Sequence, residues 1–224
     1  MKAAAVTGLA AEARVARRAG LIAEPSGGIA TQTTAIAEKL LSDGAEGLIS
    51  FGIAGALAPT LVPGDVLLPQ AVIDESGRRY AVDPAWRMRI AEALRRAGLT
   101  VNEGDLLGAR AAAASPARKA ELYRITGATA VDLESHLVAQ AAARAGRAFL
   151  ALRAVSDRAT QALPDAAVHG LAANGKPALG RVLWSVGRDP RQIPALVKLA
   201  GDTRRALDAL GSALRVISPE GRAP

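Results

Sequence analysis

A three-layer α/β fold, with helices on both faces of a mixed, largely parallel twisted sheet, is predicted by two observations. Short apolar runs alternate with segments of helical periodicity along most of the chain. The 224 residues, half of them hydrophobic, are enough to close a full core and fall within the range of one domain spanning 1–224. In chain order, the strand 3–7 precedes a helix over 12–19, and a helix over 33–42 leads into the strand 47–51. The run 65–73 reads as one strand, followed by a helix over 84–97 and a strand over 105–109. A helix over 116–125, a strand over 129–133, a helix over 135–145 and a strand over 148–155 complete the alternation. Beyond them, Ile193, Leu196, Ala200, Thr203, Leu207, Leu210 and Leu214 recur every three or four positions, which marks one long amphipathic helix after Pro190 in a basic section of about 176–216.

Composition narrows the chemistry. There is no cysteine, which removes disulfides, thiolate metal sites and a cysteine nucleophile, and the two histidines, His136 and His169, are far apart. We therefore expect no metal and no organic cofactor, with catalysis resting on carboxylates, hydroxyls, arginines and backbone N–H groups. Of the formal charge of +7, +5 lies within residues 176–224, where nine basic residues face four acidic ones. Aromatic residues make up only 3%, too few to stack on bases, and no nucleic-acid recognition pattern is present, so a nucleic-acid partner is not expected. The opening apolar stretch is too short for a signal peptide and reads as a cytoplasmic first strand.

In an open α/β sheet, ligands bind beyond the carboxyl ends of the strands, where loops and helix N-termini converge. Four such ends carry unusual residues. Thr7-Gly8-Leu9 turns a strand into a helix and exposes N–H groups that suit an anion, or is simply a tight turn. Phe51-Gly52-Ile53-Ala54-Gly55 is a glycine turn that lets a flat ligand approach the main chain, or a loop that needs positive φ. In Val131-Asp132-Leu133-Glu134, Asp132 has the chemistry of an N-cap, and Glu134 is either dipole-favoured in the first turn or a carboxylate for two ribose hydroxyls. Arg153-Ala154-Val155-Ser156-Asp157 ends an apolar strand in a polar pair. Desolvation there would keep Asp157 protonated as a general acid, the alternative being a cap, and Arg153 is expected to form a structural ion pair or to orient Asp157 or Glu134.

In this order and spacing, Gly8, the glycine turn, Val-Asp-Leu-Glu and the Ser-Asp pair resemble the purine nucleoside phosphorylase and methylthioadenosine/S-adenosylhomocysteine nucleosidase family over residues 1 to 160. The resemblance implies Glu134 on the ribose diol, Leu133 against the sugar, Asp157 protonating purine N7 beside Ser156, and Ile53, Ala54 and Gly55 against base and sugar. Nucleosidases of this family activate water with a glutamate that, aligned from Gly8, falls on Ala13; Glu12 is one residue early, about 100° away on a helix. On that alignment hydrolysis lacks its base, and inorganic phosphate becomes the expected co-substrate, with Gly8, Arg14, Thr31 and Thr33 as candidate contacts.

The phrases Gly47-Leu48-Ile49-Ser50-Phe51-Gly52-Ile53-Ala54-Gly55, Asn174-Gly175-Lys176-Pro177-Ala178-Leu179-Gly180-Arg181-Val182-Leu183 and Ile193-Pro194-Ala195-Leu196 further resemble bacterial hopanoid-associated phosphorylases. That likeness implies phosphorolysis of adenosylhopane to adenine and phosphoribosyl hopane, a homodimer, and a basic helix suited to an anionic membrane surface, which would place the protein on the inner face of the membrane; that helix alternatively packs on its own sheet or on a second subunit. Two alternatives stand beside it: a hydrolytic methylthioadenosine/S-adenosylhomocysteine nucleosidase, and a non-catalytic nucleoside-binding protein. His136 and His169 are given no catalytic role.

Overall fold

The computed structural model describes residues 2–168, 174–176 and 178–217, so His169 and the end of the chain lie outside the described residues. Among the described residues ten strands form one mixed sheet. In chain order the elements are β1 (Ala3–Thr7), α1 (Ala10–Arg18), β2 (Ile22–Pro25), α2 (Ala30–Ser42), β3 (Gly47–Ala56), β4 (Val66–Leu67), β5 (Ala71–Asp74), β6 (Arg79–Ala81), α3 (Pro84–Arg96), β7 (Val101–Asn102) and β8 (Leu106–Gly108). They continue with α4 (Pro116–Thr126), β9 (Ala130–Asp132), α5 (Ser135–Arg144), β10 (Ala148–Asp157), α6 (Asp165–Val168), α7 (Leu179–Arg188), a 3₁₀ turn (Pro190–Gln192) and α8 (Ile193–Ile217). Strand order is β6-β5-β8-β9-β3-β10-β4-β7, with β1 on β3 and β2 on β1.

The predicted α/β class is observed, with parallel pairing prevailing and β10–β4, β3–β9 and β5–β6 antiparallel. On one face α1, α3 and α8 bury Ala13, Ala16, Trp86, Ile90, Leu210 and Leu214 against β3 and β10; on the other, α2 and α5 bury Ala37, Leu40, Val138 and Ala142. Both faces of β3 and β10 are therefore apolar, as a doubly covered sheet requires.

Three expectations change. The single strand over 65–73 is two strands at opposite ends of the sheet. Pro69, which has no N–H for a ladder, falls between β4, paired with β10 and β7, and β5, paired with β6 and β8. The glycines after Phe51 form no turn: β3 runs through them to Ala56, matched by β10 to Asp157. The C-terminal section contains α7 as well as α8, and only the second half of α8 packs on the sheet, through Ala206, Leu210, Ala213, Leu214 and Ile217, while Ile193 and Val197 stay exposed. Among the described residues no helix is long and apolar enough to cross a membrane.

Candidate active site

A cavity of about 190 Å³ opens where β1, β3, β9 and β10 end, and Gly8, Ile53, Ala54, Gly55, Leu133, Glu134, Ser156 and Asp157 all line it. Glu12, Asp132 and Lys119 line it too. Four strand ends that lie far apart in sequence thus meet in one place, because the two ten-residue strands β3 and β10 run past their neighbours and present their last residues side by side.

Glu12 is fixed by local helix chemistry. Leu9 is the N-cap of α1, so Glu12 is its third helical residue, and its carboxylate reaches back to accept the Leu9 N–H at 2.7 Å. Its other oxygen accepts the Ile53 N–H at 2.8 Å, and the Gly8 N–H also points at it. Burial pushes the Glu12 carboxyl above its ordinary range, and Arg153 and the three N–H groups only partly oppose the shift. The anion seat of this strand-to-helix turn is thus filled by the protein's own carboxylate. Gly52 is required here: a Cβ would lie 2.5 Å from Glu12 Cδ and 2.6 Å from Arg153 Nη1, and its φ is +155°.

Glu134 stands at the start of α5 but its side chain caps nothing; Asp132 does the capping, accepting the Ser135 hydroxyl at 2.5 Å and the Ser135 N–H at 3.3 Å. Glu134 is consequently free to face the cavity. Its carboxyl is pushed up to about 8, chiefly by burial, with Arg153 lowering it and the nearby Asp132 and Glu12 charges raising it. Arg153 is fully buried beneath the site. It pairs with Asp132, lies 3.5 Å from Glu134 Oε2, and donates to the Ser50 and Ser135 hydroxyls at 2.6 and 3.1 Å. Of the roles expected for Arg153, the ion pair and the orientation of Glu134 are observed, and contact with Asp157 is not.

Asp157 closes the other side. Its carboxylate accepts the Ser156 hydroxyl at 2.6 Å and pairs with the buried ammonium of Lys119. The Lys119 Nζ also donates to the Arg158 and Gln161 carbonyls at 2.8 and 2.9 Å. The carboxyl expected to be isolated against an apolar rim is instead one half of an ion pair.

A family model described as "Phosphorylase superfamily" matches residues 18–186 of this sequence. The chain belongs to the phosphorylase superfamily. Comparison of this superfamily member with curated protein sequences gives no match. Among solved structures, it is similar to futalosine hydrolase of Helicobacter pylori at 15% identity, with 98% of each chain covered and a TM-score of 0.75. Methylthioadenosine/S-adenosylhomocysteine nucleosidase of the same organism, complexed with a pyrrolopyrimidine-bearing pyrrolidinol, aligns at 16% identity over 96% of this chain and 98% of its own, with a TM-score of 0.70. The S-adenosylhomocysteine nucleosidase of Streptococcus pyogenes aligns at 18% identity, covers 96% of both chains and has a TM-score of 0.69. These likenesses establish the fold.

The candidate phosphate contacts of this superfamily chain separate. Only Gly8 lines the cavity, where a Cβ on it would lie 2.5 Å from Glu134 Oε1 and 3.6 Å from Glu12 Oε2, so carboxylates occupy that side. Arg14 and Thr31 are exposed outside the cavity lining, and the buried Thr33 hydroxyl donates to the carbonyl of Ile29, the N-cap of its own helix, at 3.0 Å. The alignment that set Glu12 aside is also corrected: Glu12 faces the cavity, whereas Ala13 packs in the core with Ala16. The third-residue position after Leu9 was the signal for it. Lys119 carried none, since it sits between Arg118 and Ala120 on a helix that also exposes Arg118 and Arg124. His136 lines a different depression and is absent from this cavity.

Proposed function

We propose that the chain hydrolyses the N-glycosidic bond of an adenosine-type purine nucleoside. The observation that carries this reading is the buried Glu12 carboxylate on the cavity wall, pushed towards the basicity of a useful general base. Water gives a proton to Glu12 while its oxygen attacks C1′ of the ribose. The electron pair of the breaking C1′–N9 bond goes to the purine, and Asp157 delivers a proton to N7, so the base leaves neutral. Glu134 holds the ribose hydroxyls through its carboxyl group, and Glu12 takes up the water proton as the oxocarbenium ion develops. Ile53, Ala54 and Gly55 bound the base and sugar, with Leu133 on the sugar and Ser156 orienting Asp157.

The same groups speak against phosphate as the nucleophile. Arg153 is engaged by Asp132 and Glu134, and Lys119 by Asp157, so neither of these two buried cations is open to a phosphate dianion.

A second reading, phosphorolysis of adenosylhopane by a homodimer at a membrane surface, rests on the likeness to hopanoid-associated phosphorylases. One structural observation favours its lipid side: Trp184 and Val197 are about two-thirds exposed on the basic α7–α8 section, with Arg188 stacked over the Trp184 ring. Co-sedimentation with anionic but not neutral vesicles would support that surface, and binding to neither would remove it.

Adenine release from adenosine and methylthioadenosine, measured with and without phosphate, tests the main reading. Equal rates and free ribose product are expected; strict dependence on phosphate would replace hydrolysis with phosphorolysis.

A further inference from the structure

Lys119 stands out among the buried groups of the site. Its side chain is 1% exposed and Asp157's is 4% exposed, and the ammonium spends its three protons on Asp157 and on the Arg158 and Gln161 carbonyls. Of these acceptors only the carboxylate can take a proton. Between two side chains buried this deeply, an ammonium–carboxylate pair and its neutral amine–acid tautomer differ by the position of one proton, and the loss of solvation that penalises the charged pair narrows the gap between them. Ser156 holds the other Asp157 oxygen at 2.6 Å, so the carboxyl is fixed in place for the exchange.

We infer that Lys119 is the proton reservoir of Asp157. The inference rests on the reading of Asp157 as the acid of a nucleoside-cleaving site. As C1′–N9 breaks, the Asp157 carboxyl gives its proton to purine N7 and Lys119 supplies the proton that Asp157 carries, leaving a neutral amine. Glu12 has meanwhile gained a proton from water. One proton is lost by Lys119 and one gained by Glu12, so the cavity keeps its net charge through the chemical step, and exchange with solvent after product release restores both groups. Lys119 acts only through Asp157, which makes it a positioning and proton-supplying residue.

The same ammonium also ties α4 to the 158–161 turn, so a purely structural role must be separated from proton supply. Two substrates do this. A purine nucleoside needs its leaving group protonated, whereas p-nitrophenyl riboside releases a phenolate that needs no proton. Lys119→Met should lower purine nucleoside turnover by about 10² or more, the scale of general acid catalysis, and lower p-nitrophenyl riboside turnover by less than about tenfold. Lys119→Arg guards against misfolding of the first variant. It keeps a cation and its hydrogen bonds, but a guanidinium does not surrender a proton, so the same split is expected. An equal fall on both substrates in a variant with wild-type circular dichroism would assign Lys119 a structural role and overturn the inference, as would unchanged purine turnover in either variant. Absence of purine nucleoside cleavage by the wild-type chain would instead overturn the proposed function itself.

Discussion

The Glu12 carboxylate and the Ile53 backbone N–H meet at 2.8 Å although they are 41 positions apart in sequence. This contact joins the start of α1 to the upper part of β3 and holds the carboxylate at the cavity wall, with its second oxygen anchored by Leu9. A general base held on two sides keeps its geometry without help from the substrate, so little reorganisation precedes proton transfer.

Glu12→Gln keeps the size of the side chain and removes its basicity. Adenine release should fall by about 10² to 10⁴, the range for a lost general base, with the circular dichroism spectrum unchanged. A variant that retained a tenth of wild-type turnover would remove Glu12 from the mechanism.

Gly8→Ala should be nearly as damaging through geometry alone. The new methyl group would lie 2.5 Å from Glu134 Oε1 and must displace that side chain, which is the group proposed to hold the ribose. We expect kcat/KM to fall by about tenfold or more, a loss of roughly 1.4 kcal/mol in transition-state binding. An active Gly8→Ala enzyme would show that the ribose is held elsewhere.

Glu134 links stability to pH. Its carboxyl titrates near its ordinary value of 4.5 when unfolded and at about 8 when folded, so between these values the unfolded chain has released a proton that the folded chain retains. The favourable contribution is complete below pH 4.5 and is lost as pH rises towards 8, by an amount on the order of a few kcal/mol. Glu134→Gln removes this dependence. Urea midpoints at pH 5 and pH 8.5 should therefore differ more for the wild type than for the variant, and identical differences would contradict the assignment.

Arg153→Met leaves Asp132 and Glu134 buried without their counter-charge. Breaking one side of a buried pair costs about 3–5 kcal/mol, so a drop of that size in denaturant stability is expected. The double variant Arg153→Met, Asp132→Asn should recover part of it; equal stability of the single and double variants would show that the pair is not what the guanidinium supports.

Arg14→Ala and Thr31→Ala address the nucleophile. Both residues are exposed and outside the cavity lining, so turnover in the presence of phosphate should stay within about twofold of wild type, as for surface changes away from a site. A phosphate-dependent loss in either variant would bring the phosphorolytic reading forward.

Much of this arrangement is legible in the sequence, because the physics that places it is local. Apolar runs and helical periodicity locate the central strands and main helices. The strand-end rule then gathers Gly8, Ile53, Glu134 and Asp157 into one cavity. Strands of two to four residues, β2, β6 and β7, are too short for alternation to register. At Pro69 one apolar run serves two strands at different sheet positions, and only the tertiary pairing reveals the split. Glu12 was legible in principle, as the third residue of a helix whose acid turns back to its cap. Lys119 was not: a lysine on a charged helix reads as a solvated one, and its burial depends on the turn that follows β10 arriving over it.

The outer wall of the cavity has a different character from its floor. Ala112 and Ala113 come from the irregular stretch after β8 and Leu163 from the one after β10, and the two stretches are joined by the Leu163 N–H to the Ala114 carbonyl at 2.8 Å. The three acids, by contrast, are fixed by the start of a helix, a strand-to-helix junction and the end of a central strand. Insertions or exchanges in those two stretches can reshape which molecule is admitted while the bond-breaking apparatus stays intact, so in this architecture appetite can drift without loss of bite.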